Sequence, residues 1–512
     1  MSEDLKAVIE EDIAILSTTH IPDSREANAI RTRNTAREEE ISNIDNDIEV
    51  LYARLSKLVM VCDIGDAVTA PIRKIPVALL VEIFLQAIFS SAPEDLLPRN
   101  WIFSAGYRPH YIRGQLRRVC RSWKTALDNE PRAWSTIFID PRFSPESVTL
   151  CIQKSKSYPL DIFFSIPDYV SYESKISLGI LLKELWRVRS FVANGLESLA
   201  DLLPLFLPGC SMDVPLMQEF YLSTHGDTDD TVLGTLRCPE LRSLTLLSAQ
   251  NMIQSLFPAP MQNMRHLDVG FKIGPVRRYL ELLEALPNLV SLSWRDVMDA
   301  TPNAVDESFP RVVLLSLKSL HYEGREDASS LRFFSCIHAP SLELLTMHGK
   351  QSIGQQHNYT AVEEVLSALC GDGAVQLRQL HLHGTWPDEN ILRHLSHLDT
   401  LHVSGPKIQT LFPEDDWRLP TLIAALCPED RNFSSACPQL KTLALTEMFI
   451  HPNVFARFVR GRMQSDLDEA IPGLVTCLKL KSIGGVSREQ CRDLAITHRV
   501  NIQYYEFDEF VK

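Results

Sequence analysis

The chain has 512 residues, 45% of them hydrophobic and 23% charged, a globular composition with room for two to four domains or one long repeat array. Its formal net charge of -14 lacks the excess of Lys and Arg with which a general nucleic-acid binder displaces counterions, so no nucleic-acid partner is expected. The eleven cysteines show no CxxC pair and no Cys/His cluster at zinc-ligand spacing, which predicts reduced thiols and no metal or other cofactor. The opening MSEDLKAVIEED has no basic stretch leading into an apolar one, and no apolar run approaches the ~20 residues of a membrane span. A cytoplasmic or nuclear protein with no membrane partner is the expectation.

Residues 1-36 are polar, charged and weakly periodic, and read as a flexible acidic arm. From 37 to 70 the pattern sharpens. Ile41, Ile44, Ile48, Leu51, Leu55 and Leu58 follow one another at steps of 3, 4, 3, 4, 3, the apolar stripe of a heptad helix. Such a helix either packs on a neighbour in its own chain or self-associates through residues 41-58. Gly65 and Pro71 then mark its end.

Residues 71-140 hold two further helical patterns. IPVALLVEIFLQAIF places Ile75, Leu79, Leu80, Ile83, Phe84 and Ala87 at helical spacing, with Pro76 near the helix start where its ring is tolerated. After a Pro- and aromatic-rich insertion near 89-112, YIRGQLRRVCRSWKTALD reads as one second helix with Leu116, Val119, Cys120, Trp123 and Ala126 on one face. Pro131, Trp134 and Ile137 come next. Arg113, Arg117, Arg121 and Lys124 are spaced for a single basic face, solvated or turned toward an acidic partner. Two short helices cannot bury this much apolar surface alone.

IPVALLVEIF, VCRSWKTAL and RAW together resemble the F-box, whose pattern runs Leu-Pro-x-Glu-Ile/Leu-Leu, Ile-Phe, Val-Cys-x-x-Trp and a final Leu-Trp; Ala78 stands where that family often has Glu. The resemblance implies a small all-α F-box module that docks on a Skp-type adaptor, and through it a cullin, with adaptor contacts at Ile75, Pro76, Leu79, Leu80, Ile83, Phe84, Val119, Cys120, Trp123 and Trp134. The same residues would also serve as a helical cap on the N-terminal end of a repeat array.

Residues 141-512 carry such an array. A unit of large apolar, two residues, large apolar, one residue, large apolar recurs as LRSLTL from Leu241, MRHLDV from Met264, LVSLSW from Leu289, LKSLHY from Leu317, LELLTM from Leu342, LRQLHL from Leu377, LDTLHV from Leu398 and LKTLAL from Leu440. Weaker copies begin at Val188, Met217 and Val475. Four units carry a proline two residues before their first Leu (Pro239, Pro287, Pro340 and Pro438), where a missing N–H stops a helix and lets the chain turn into a strand. These units resemble the leucine-rich-repeat family in an irregular form, with a glycine in HLHG, HVSG, TMHG and LDVG where Asn or Cys is usual. Ser487 and Gln490 form a capping-box pair that opens a last helix, and VNIQYYEF reads as a closing strand.

The fold expected is therefore α/β: a heptad helix, an F-box-like helical module and an irregular leucine-rich-repeat solenoid with a C-terminal cap. Residues between the Leu positions face outward, which makes Arg242, Thr245, Arg378, His381 and His402 candidate contacts for a protein substrate. His381, His383, His394, His397 and His402 crowd together, yet no Cys or carboxylate is spaced to complete a metal site. No GxSxG, HExxH or phosphate-binding glycine loop is present, and Cys370 in ALCGDG reads as a helix end, so no catalytic residue is assigned. The two resemblances together imply a non-catalytic, substrate-recognising subunit of a Skp-cullin-F-box ubiquitin ligase. The alternative is a leucine-rich interaction scaffold outside any ligase, dimeric through its heptad helix.

Overall fold

A computed structural model describes residues 9–10, 13–14, 17, 21–69, 74–89, 109–139, 143–165, 172–196, 211–224, 235–247, 261–271, 276–296, 311–324, 333–349, 365, 369, 376–384, 392, 395–405, 422, 426, 437–448, 450–462, 475–481, 483, 486–498 and 501–505. The chain divides into two units, Met1–Glu82 and Ile83–Lys512. The expected insertion near 89-112 falls largely outside the described residues, as do Cys370 and His394.

The first unit is dominated by one long helix, α1 (Ser24–Thr69). It starts well before residue 37 because Asp23 accepts the amide hydrogens of Arg25 and Glu26 while Glu26 reaches back to accept that of Asp23, a reciprocal cap inside what sequence suggested was a loose arm. Each residue of the heptad stripe is 43% to 61% exposed in this chain. Helix α2 (Val77–Phe89) begins in this unit and continues into the second; the bond from the Leu80 amide to the Pro76 carbonyl sets its first turn.

In the second unit, α3 (Pro109–Val119) and α4 (Arg121–Asp128) replace the single helix expected there. Cys120 is the break: its backbone is extended at φ -162° and ψ 168°, and its carbonyl accepts the Lys124 amide as the N-cap of α4. A 3-10 turn, Pro131–Trp134, leads into the first strand of a sheet.

That sheet begins earlier than the repeats suggested. Among the described residues, fourteen strands pair side by side, all parallel: β1 (Thr136–Ile139), β2 (Leu160–Ser165), β3 (Val188–Leu196), β5 (Glu219–Thr224), β7 (Ser243–Leu247), β8 (His266–Phe271), β9 (Ser291–Asp296), β11 (Ser319–Gly324), β13 (Leu344–Gly349), β14 (Gln379–His383), β15 (Thr400–Ser404), β16 (Thr442–Thr446), β17 (Cys477–Lys481) and β18 (Asn501–Tyr505). Two small parallel pairs lie outside it: β4 (Ser211–Asp213) with β6 (Thr235–Arg237), and β10 (Val312–Val313) with β12 (Ile337–His338). The architecture is mixed α/β with one long parallel sheet.

The register explains the leucines. Leu244, Leu267, Leu292, Leu320, Leu345, Leu380, Leu401, Leu443 and Leu478 are direct cross-strand partners in one ladder. Leu246, Val269, Trp294, Tyr322, Met347, Leu382, Val403, Leu445 and Leu480 form a second beside it, and both ladders are buried. Because side chains alternate across a strand, both ladders share one face, and that face is the core of this unit.

Strands β7, β8, β9, β11, β13, β15 and β16 are each reached through a tight turn. The amides of Leu241, Leu289, Leu342 and Leu440 donate to the carbonyls of Cys238, Leu286, Ala339 and Cys437, three residues earlier, which puts the motif prolines at the second turn position where their fixed φ is already correct. Met264, Leu317 and Leu398 close the same turn without proline. Pro239 and Pro340 follow short strands and so act as turn formers rather than as helix stops, whereas before Pro287 a helix does end, at Glu284. Gly384 of HLHG adopts φ +72°, and a Cβ there would sit 3.0 Å from the Gly349 carbonyl oxygen.

Several helices lie between strands. Helix α5 (Pro145–Ser155) is N-capped by Ser144, α6 (Tyr172–Leu182) is packed against it, and α7 (Val276–Glu284) precedes β9. Near the end come α8 (Pro452–Arg462) and α9 (Arg488–His498); the Ser487–Gln490 capping box of α9 forms in both directions, at 2.8 and 3.2 Å. Among the described residues no helix is long and apolar enough to cross a membrane, and no group of His, Cys, Asp or Glu is arranged to hold a metal ion.

Candidate functional site

Two surfaces carry the residues singled out from sequence. The first is helical. Within the second unit, Phe84 is buried with its ring 4.7 Å from that of Trp123, centroid to centroid. Trp134 is 4% exposed, and its indole N–H donates to the Leu127 carbonyl at 2.8 Å. Above its ring lie two guanidinium groups, those of Arg113 and Arg117, at 5.1 and 5.3 Å.

Arg113 departs from the basic face expected of it. Only 3% of it is exposed, and it donates to the Ala133 carbonyl at 2.7 Å instead of standing on an outer surface. Arg117 pairs with Asp128 at 3.0 Å, and the break at Cys120 puts Arg121 and Lys124 on a different helix. The expected stripe therefore does not exist as one surface. Instead, α3 is fastened to the Pro131–Trp134 turn by buried arginine.

The remaining helical candidates divide by exposure. In the second unit Ile83 and Val119 are exposed, as is Tyr111, while Cys120 and Trp123 are partly covered. In the first unit Pro76 and Leu79 are exposed, Ile75 is partly covered, and Leu80 is buried.

The second surface is the polar face of the sheet, the one opposite the leucine ladders. In strand order it changes character. Phe163, Val192 and Tyr221 form a cluster joined by Phe138 and Leu247, and Phe138 stacks on Phe163 at 4.7 Å. Next comes a small recess lined by Glu219, Tyr221, Thr245, His266, Asp268 and Ser291. Arg295 then links Asp268 at 3.5 Å to Glu323 at 3.8 Å across three strands.

Beyond Glu323 the face becomes imidazole. His321 lies 5.0 Å from His348, which stacks flat on His383 at 3.9 Å; His402 is 4.9 Å from His383 and 5.5 Å from His381. The row ends where His402 Nε2 meets the Thr446 hydroxyl at 3.0 Å. Burial pushes His348 down to about 4, helped by His321 and opposed by Glu323. Burial likewise pushes His402 to about 4, helped by His383, His381, Lys481 and Lys479, and lowers His381. The rings of His348, His381 and His402 are therefore neutral at pH 7 and offer hydrogen bonding and flat apolar faces rather than positive charge.

Of the substrate-face candidates, Thr245, His381 and His402 lie on this polar face. Arg242 and Arg378 stand just outside β7 and β14, where their backbone amides bond the preceding repeat, so their exposed side chains flank the face at its edge. His397 sits in the turn before β15, away from the row. His321 and His348 were missed as members of it. Their signal is positional: each occupies a place between or just after the last two apolar residues of its repeat unit, as His381, His383 and His402 do.

No protein-family model matches the chain, and no curated protein matches it. Among solved structures it is similar to an internalin from Listeria monocytogenes, at 13% identity over 78% of this chain and 93% of that one. The TM-score is 0.30, too low for that likeness to carry an argument, so the fold rests on the sheet and its register alone.

Proposed function

We propose that the protein is a non-catalytic substrate-recognition subunit of a Skp-cullin-F-box type ubiquitin ligase. Its F-box-like helices dock on a Skp-type adaptor, and through it on a cullin, while the polar face of the leucine-rich sheet holds a protein substrate. Such a subunit makes and breaks no bond; it raises the effective concentration of the bound target near the ubiquitin donor.

The observation that carries this reading is apolar side chain left in water on an F-box-like motif. Leu79 and Ile83 are one helical turn apart on α2 and about half exposed, and Val119 is exposed at the end of α3. Burying such positions drives an interface whose centre is apolar and whose rim is polar. Leu80, Phe84 and Trp134 are already buried, so their part is to hold the helices in shape.

Co-expression with a Skp-type adaptor tests the proposal. The wild-type chain should co-purify with the adaptor, whereas Leu79→Asp/Ile83→Asp, altering only exposed positions, should retain its fold by circular dichroism and lose the adaptor. Each anchor of this kind contributes about 2 kcal/mol or more, roughly a 30-fold change in affinity. Absence of adaptor from the wild type, or equal recovery with the variant, overturns the reading and leaves an interaction scaffold.

A further inference from the structure

We infer that α1 is one half of an antiparallel homodimer, in which two copies of this chain pair along the heptad stripe with their helices running in opposite directions. The inference stands apart from the ligase reading and needs no adaptor.

The stripe is open along its whole length, from Ile41 to Leu58. Taking Ile41, Ile48 and Leu55 as a positions makes Ile44, Leu51 and Leu58 the d positions. Its composition is directional: three isoleucines, then three leucines. A parallel two-stranded coil favours β-branched residues at a and Leu at d, a rule that Ile44 and Leu55 both break. In the antiparallel arrangement centred between Ile48 and Leu51, Ile41 meets Leu58 of the other copy, Ile44 meets Leu55 and Ile48 meets Leu51. Every layer then joins one isoleucine to one leucine, so all layers hold similar volume.

Charge selects the same direction. Between 38 and 49 the helix carries Glu38, Glu39, Glu40, Asp45, Asp47 and Glu49 and no base; between 50 and 62 it carries Arg54 and Lys57 and no acid. Parallel, in-register copies lay the acidic halves against each other and set Glu40 beside Asp45 of the second copy, a like-charge contact made twice. Antiparallel copies lay each acidic half along a basic one and bring Asp47 to Arg54, an opposite-charge contact made twice. Exposed Val59 and Val61 widen the apolar surface of the basic half and lie along the stems of Glu38 and Glu40.

Exposed Cys62 occupies the next a position and distinguishes the two directions. In a parallel pair the two Cys62 thiols are neighbours. In the antiparallel pair Cys62 lies opposite Arg37, and the two thiols are separated by the 25 residues between those positions, about 37 Å along a helix.

The test uses the full chain, analytical ultracentrifugation and a short bis-maleimide, with linked peptides mapped by mass spectrometry. The wild type should sediment as a dimer at micromolar concentration and give no Cys62–Cys62 link, while Arg37→Cys should give a dimer linked between position 37 and Cys62. Leu51→Asp/Leu55→Asp should sediment as a monomer, weakened at least a hundredfold, with the thermal unfolding of the sheet unchanged. A monomeric wild type, a higher oligomer, a Cys62–Cys62 link, or a double variant that stays dimeric overturns the inference.

Discussion

Acid should loosen the C-terminal half of the sheet through its histidine row. His348 and His402 take up a proton in the folded chain only near pH 4, against 6.5 for the ordinary group. Their folded pKa values are depressed, so the unfolded chain binds protons first. The stabilisation is therefore complete above pH 6.5 and is lost as pH falls from there toward 4. Each pH unit between folded and unfolded titration corresponds to about 1.4 kcal/mol, giving an upper bound of about 3.4 kcal/mol per ring. Both rings keep part of their surface in water and titrate against shared neighbours, so roughly half of that applies, about 3 kcal/mol for the pair. The neighbours that enter are His321, Glu323, His381, His383, Lys479 and Lys481. Urea unfolding at about pH 7 and about pH 4.5, wild type beside His348→Gln/His402→Gln, separates this contribution from that of the carboxylates, which both proteins share. The wild type should lose about 3 kcal/mol more than the variant across that interval. Equal losses would show that the packed rings do not resist protonation and would refute the reasoning.

Trp134→Phe keeps the ring beneath the two arginines but removes the indole hydrogen bond to the Leu127 carbonyl, which retains the Glu130 amide at 3.2 Å, and should lower stability by about 1 kcal/mol in thermal or denaturant unfolding. Leu320→Ala, at a fully buried rung between Leu292 and Leu345, should cost about 2–5 kcal/mol by the same measurement. Gly384→Ala forces a side chain into positive φ and against the Gly349 carbonyl, and should cost about 1–2 kcal/mol, whereas the same change at Gly179, where a Cβ meets open space, should not destabilise.

Much of the sheet was legible because its signal is local. The apolar unit that begins at Leu241 marks β7, and the unit at Leu440 marks β16, since two buried ladders demand large apolar residues at fixed steps. Ser487 and Gln490 were equally readable, as a cap forms between residues three apart. The features that escaped depend on partners remote in sequence. Arg113 has the spacing of a surface arginine, but the Ala133 carbonyl and the Trp134 ring, about twenty positions on, help turn it inward. The break at Cys120 comes after no proline or glycine. His348 and His383 lie 35 positions apart and become stacking partners only once the register of β13 and β14 is fixed. Strands β1 and β2 lack the full leucine unit and join the sheet through Ile137 and Ile162, whose pairing no internal repeat announces.

Because every one of the fourteen strands runs parallel to its neighbours, the polar face works as a ruler. Adjacent strands lie about 4.8 Å apart, so thirteen intervals span about 62 Å, the length of some eighteen residues of extended peptide. The graduations differ: aromatic rings at β1 to β5, opposed ions from β8 to β11, imidazoles from β11 to β15, and then Lys479 and Lys481 on β17. A ligand laid across the strands would be matched by the order and spacing of its chemistry over a long distance, so selectivity arises by summing many modest contacts instead of filling one deep socket.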